Sequence, residues 1–222
     1  MTEHQDPFAP AGRAGAMSSR RVEAFSDGVF AIAITLLVLD LVVPPRTETA
    51  AGELGGRLLH QWPSYFAYLV SFLIVGIIWV NHHTVFGKVR LVDRRVLFAN
   101  LALLLVVSVI PFPTRLISEY LTAGGADAHL AAALYSATML TMGLSYSALW
   151  LAVTRDAELL HEHVDPTASR AALRRFGMGN ILYLATVGLA FVNAIATLTL
   201  HGALAVYYCF DQLAGADRHQ GR

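Results

Sequence analysis

The chain has 222 residues, of which 55% are hydrophobic and only 14% charged; its mean hydropathy is +0.53 and its formal net charge is zero. A soluble domain carries about a quarter charged residues, so much of this chain avoids water, and the neutral balance argues against nucleic acid as a partner. The single cysteine, Cys209, can form neither an intrachain disulfide nor a metal cage, so redox and structural-zinc roles lose support and no cofactor is expected.

Residues 1–19 mix Pro, Gly, Ala, Ser and charge without an apolar core and read as a disordered cytoplasmic tail. No apolar segment there ends in a small-residue cleavage site, so the first membrane span is expected to stay in the mature protein. That span, Arg21–Val43, opens with Arg21, Glu23 and Asp27 and then carries no charge until Asp40. At about 100° per residue, Phe25, Gly28, Val29, Ile32, Thr35, Leu36 and Leu39 fall on one stripe of a helix. Asp27 falls roughly opposite. An apolar stripe ordinarily packs against neighbouring helices; periodicity alone does not separate a packing face from a pore lining.

Five more apolar segments follow. Residues 63–86 begin at Trp62-Pro63, with Tyr65 and Tyr68 near that end and Trp79, His82 and His83 near the other. Pro63 suits a helix start and the aromatics suit a membrane interface. Residues 96–114 are dense in Leu and Val and are expected to stop at Pro111 and Pro113. Residues 129–153 interleave small residues, Gly143 among them, as in a helix packed closely on others. The stretch from 177 to 210 holds no charge over 34 residues. A bilayer takes about 20 helical residues, so this is read as two spans, 174–191 and 194–210, turning near Asn193, with a single tilted span as the alternative. The expectation is an all-α integral membrane protein whose six spans form one domain, residues 20–212, followed by a cytoplasmic tail, 213–222.

Charge placement supports that topology. With both termini in the cytoplasm, thirteen Lys and Arg fall inside and three (Arg46, Arg57, Arg115) outside, the bias of the positive-inside rule. Outside, Asp40, Glu48, Glu53, Glu119 and Asp127 outnumber the arginines; Asp40 and Glu48 are the candidate acids of a cation-concentrating outer mouth.

Ionisable residues at membrane depth need partners. Asp27, six residues past Arg21, matches His82 and His83 in depth and could meet Asn81, either histidine or the Trp79 indole. Such contacts would form a polar clasp between the first two spans, or a proton relay through Asp27 and a histidine. Asn100 and His201 read as satisfied polar positions. HEHVDP at His161–Pro166 lacks the spacing of a zinc hydrolase, and no phosphate loop or nucleophile elbow occurs, so an enzyme is not expected.

Arg21 followed by Phe25-Ser26-Asp27-Gly28 entering an apolar helix, with Trp79 and His82-His83 on the second, resembles the prokaryotic branch of the transmembrane protein 175 family. The likeness is strong over residues 20 to about 95. It implies a potassium-permeable channel without a carbonyl filter, in which a homotetramer of six-helix subunits surrounds a pore lined by the first helix. Carried over by offset from Phe-Ser-Asp, the constriction falls on Ile32, Leu36 and Leu39, with Thr35 as a hydroxyl layer. Potassium is then the permeating ion and a bacterial inner membrane the multi-pass location. The alternative is a proton channel or proton-coupled transporter using Asp27 and His82/His83.

Overall fold

The computed structural model describes residues 17–161 and 166–220, and for residues 17, 48, 166–176 and 210–220 the backbone alone. Residues 1–16 of the expected N-terminal tail and most of the HEHVDP segment lie outside the described residues.

The fold is helical throughout. Helix α1 (Ser19–Leu36) is prolonged by a 3-10 turn, Leu37–Asp40, and a short α2 (Leu54–His60) leads into α3 (Trp62–Phe86). Pro63 occupies the first turn of α3, where its missing N–H costs no intrahelical bond. Helix α4 (Arg94–Val109) starts at Asp93, whose carboxylate accepts from the Val96 amide at 2.8 Å and so satisfies one of the unpaired N–H groups of the first turn.

The expected stop at Pro111 does not occur. Helix α5 (Pro111–Tyr120) continues from α4 after one residue, and Arg94–Tyr120 makes a single apolar run of 27 residues. Proline removes one backbone donor. The Val107 carbonyl that Pro111 would have bonded accepts instead from the Ile110 amide at 3.2 Å, while Thr114 Oγ1 donates to the Ile110 carbonyl at 2.8 Å. In a membrane the freed groups have no water to turn to, so the chain closes them internally and remains helical.

Helix α6 (Gly125–Thr154) is the longest of the described elements and packs against α4, α5, α7 and α8. A Cβ on Gly143 would strike the Asn180 side-chain oxygen, so glycine is what lets α7 (Pro166–Ala190) lie so close. Asn180 Nδ2 also donates to Ser147 Oγ at 3.0 Å. Helix α8 (Ala194–Gln220) begins where Asn193 accepts from the Ala196 amide at 2.9 Å. The turn therefore lies at Asn193, as read from the sequence, although the helix itself runs past 210.

One end of the bundle is knotted together by backbone. A two-residue strand β1 (Met17–Ser18) pairs antiparallel with β2 (Leu91–Val92), and the Arg90 amide reaches the Leu159 carbonyl at 2.8 Å. The start of α1, the loop joining α3 to α4 and the end of α6 thus share one end, with Arg20, Arg21, Lys88, Arg90, Arg94, Arg95 and Arg155 gathered there. Asp40, Arg115 and Glu119 come together at the other. Four helical runs, Ser19–Asp40, Trp62–Phe86, Arg94–Tyr120 and Gly125–Thr154, are long and apolar enough to cross a membrane, and two shorter apolar helices span Gly177–Ala190 and Ala194–Cys209.

Candidate functional site

Helix α1 has two faces. Val22, Ser26, Phe30, Ala33 and Leu37 recur at helical spacing and are buried against α3 and α4. The expected stripe lies on the other side: Phe25 is 58% exposed, Ile32 61%, Leu36 41% and Leu39 70%. Thr35 is exposed beside them, and its hydroxyl donates to the Ala31 or Ile32 carbonyl, each at 2.9 Å. With its proton spent on its own backbone, the Thr35 oxygen presents lone pairs outward. Val29, at the stripe's edge, packs partly against the core, while Ile32, Leu36 and Leu39 stay exposed within the protomer.

Behind it, α1 is tied to α3 and α4 by polar contacts. The Trp79 indole donates to Asp27 Oδ1 at 2.9 Å. Of the four partners the sequence offered, this is the hydrogen bond Asp27 makes among the described residues. One turn closer to the basic end, His83 Nδ1 meets Glu23 Oε1 at 2.8 Å, and the His83 ring stacks on Trp79.

His82 turns the other way. Adjacent helical residues point about 100° apart, so His83 is exposed while His82 is fully buried, with Phe30 and Phe86 against its ring. Its Nε2 lies 2.8 Å from Asn100 Oδ1; the amide oxygen only accepts, so His82 donates. Asn100 Nδ2 in turn donates to Ser26 Oγ at 3.0 Å, and Ser26 donates to the Val22 carbonyl at 2.8 Å. One residue from each of α3, α4 and α1 closes this chain. Asn100, read as a satisfied polar position, is its centre. Asn100 lies six residues past Arg94, as Asp27 lies six past Arg21, so the depths match, but only the packing of α4 brings it between His82 and Ser26.

Two contacts sought in the sequence are not made. Asp27 bonds neither histidine, and the indole between them donates without accepting, so it cannot hand a proton on. At the far end, Asp40 stands near Arg115 and Glu119, and Arg115 Nε pairs with Glu119 Oε1 at 3.0 Å. Asp40 Oδ2 is buried without a partner among the described residues. Arginine therefore offsets part of the acid counted at this end. Glu48 ends a 3-10 turn, Arg46–Glu48, and its side chain lies outside the described residues. Arg21 is exposed next to Phe25.

Comparison with known proteins bears on this arrangement. Residues 21–111 match the model of the family described as endosomal/lysosomal potassium channel TMEM175. A protein of Streptomyces collinus named a potassium channel is 53% identical over 195 residues, 88% of this chain and 93% of that one. The crystal structure of a lysosomal potassium-selective channel TMEM175 homolog from Chamaesiphon minutus superimposes with a TM-score of 0.77 at 36% identity, covering 87% of this chain and 97% of that one. The Homo sapiens endosomal/lysosomal proton channel TMEM175 is 38% identical over 110 residues, 47% of this chain and 22% of that protein. The matched segment holds α1, α3 and α4, the three helices of the Ser26–Asn100–His82 chain. A chain that is 53% identical to one such protein over 88% of its own length, and shares its fold with another, belongs to the TMEM175 family.

Proposed function

We propose that this protein is a potassium-permeable cation channel, a homotetramer in a bacterial cell membrane whose pore is lined by α1. Each subunit crosses the membrane six times with both termini in the cytoplasm, which puts the basic end of the bundle inside. The observation that carries the reading is the unpacked stripe on α1. Ile32, Leu36 and Leu39 are exposed while the back of the same helix is fully buried. Relatives named potassium channels, one of them potassium-selective in its crystal structure's description, support it.

Around a fourfold axis, Ile32, Leu36 and Leu39 form successive apolar rings. Such rings supply no carbonyl dipoles to replace an ion's water, so they act as a hydrophobic constriction that gates by dewetting. An ion passes while keeping part of its shell. Potassium holds its water less tightly than sodium and loses less on entry. Four Thr35 oxygens, their protons already committed to backbone, return some coordination beside the Ile32 ring. Selectivity by this route is modest beside that of a carbonyl filter. No cofactor takes part.

The test is electrical. Purified protein in planar bilayers is expected to carry an ohmic current whose reversal potential under bi-ionic potassium and sodium favours potassium. A flux that follows a proton gradient and leaves potassium unmoved would replace the channel with the proton-coupled reading.

A further inference from the structure

Helix α1 leaves two unlike flanks open beside its apolar stripe. On the α4 side lies a groove of ≈ 500 Å³ lined by Arg21, Phe25, Arg94, Leu97, Phe98 and Leu101. The Arg94 guanidinium sits 5.5 Å above the Phe98 ring. Among the described residues, no carboxylate forms an ion pair with Arg21 or Arg94. On the α3 side are Glu23 and Asp27, held by His83 and by the neutral Trp79 indole. Among the described residues, one flank thus carries two arginines that pair with no acid, and the other two acids that pair with no arginine.

These groups cannot neutralise each other within one subunit. Arg21 and Glu23 are two residues apart on one helix, and residues so spaced do not face each other. Their depths along the axis nonetheless differ by only about 3 Å. Along the edge of the stripe that faces the acidic flank run Ala24, Gly28 and Ala31, all exposed, and a Cβ added at Gly28 would meet nothing within 4 Å. Small residues in a row let a second helix approach closely in a membrane.

We propose that the subunits join head to tail, the basic groove of each receiving the acidic flank of the next, so that Arg21 pairs with Glu23 of the partner subunit. This rests on the tetrameric channel reading above. A rotation that closes such a heterologous contact makes a ring, and the charge order then repeats identically at each junction. Arg94 adds a second positive charge to the groove, and the small residues set how near the next α1 can come. Glu23 keeps its His83 contact on one oxygen and offers the other.

Charge reversal tests the pairing in full-length protein, with assembly read by native mass spectrometry. The parent is measured first: if it is not a ring, the tetrameric reading fails and takes this pairing with it. Given a parent tetramer, Arg21→Glu and Glu23→Arg are each expected to lower the tetramer fraction at least tenfold. The double variant should restore it, because each junction again joins opposite charges. Co-expression of the two single variants should also restore it, as alternating rings, since each then meets only the complementary flank of the other. Rescue in either form shows that the single variants still fold. Single variants that assemble like the parent would overturn the pairing while leaving the channel intact, and so would losses that neither the double variant nor co-expression repairs. An anionic lipid in the groove would give the first of these overturning results, together with loss of co-purified phosphatidylglycerol from Arg21→Glu.

Discussion

The Trp79 indole Nε1 lies 2.9 Å from Oδ1 of Asp27 and donates its proton to it, joining α3 to α1 at membrane depth. Three positions further along α3 and one position back along α1, His82 and Ser26 meet through Asn100 rather than each other. Two parallel ties thus cross the same helix pair, one at its surface and one in its core.

The surface tie predicts an asymmetry between its partners. Asp27→Asn keeps an oxygen that accepts from the indole and gives up only the charge. It is expected to cost about 1 kcal/mol and to leave the potassium-to-sodium reversal potential unchanged. Trp79→Phe strips the carboxylate of its donor and is expected to cost about 1–3 kcal/mol, with lower yield of assembled protein. Well-assembled Asp27→Asn protein that has lost a proton-linked flux would mark Asp27 as a proton carrier.

The core tie should be the costlier one to break. Asn100→Leu leaves the buried His82 Nε2–H without an acceptor, at about 1–3 kcal/mol, while Ser26 keeps its bond to the Val22 carbonyl. His83→Ala removes an exposed contact to Glu23 and is expected to cost less than about 1 kcal/mol. Denaturant unfolding of the two variants in detergent compares them directly; equal losses would contradict the different burial of adjacent histidines.

Cysteine placement probes the orientation of α1. Leu36 is 41% exposed and Leu37 is fully buried, though they are neighbours. On a channel axis, Leu36→Cys is expected to form disulfide-linked dimers under oxidation and Leu37→Cys to remain monomeric on denaturing gels. Cys209→Ser serves as the background. The reverse pattern would turn the helix around and remove the stripe from the pore.

Ile32 carries the mechanism. Asparagine there would hold water where isoleucine sheds it, so conductance is expected to rise and discrimination between potassium and sodium to weaken. Because Ile32 is 61% exposed in the protomer, the change should not disturb the fold of the subunit. Single-channel conductance and bi-ionic reversal potential, recorded from variant tetramers of verified size, decide it. Unchanged values for both would exclude Ile32 from the constriction.

Much of this protein is legible along the chain. The apolar runs mark the helices because a backbone crossing a bilayer must satisfy its own hydrogen bonds, and length with hydrophobicity is enough to say where. Asn193 as the break between α7 and α8, Gly143 as a close-packing position and the shared depth of Asp27 and Trp79 followed from local composition and spacing. Partner choice did not. Which side of α3 faces α1, and hence why Trp79 takes Asp27 while His82 turns to Asn100, depends on how each helix is rotated about its axis, and that rotation is set by packing against helices distant in sequence. The same holds for Pro111, where neighbouring helices and backbone carbonyls kept the helix running through a residue that would have ended it in water, and for Asp40, whose approach to Arg115 exists only because α5, continuing α4, ends beside the 3-10 turn that prolongs α1. Sequence determines what can cross a membrane, since that is a property of each segment alone; only tertiary structure decides which faces meet, since that is a property of the whole bundle.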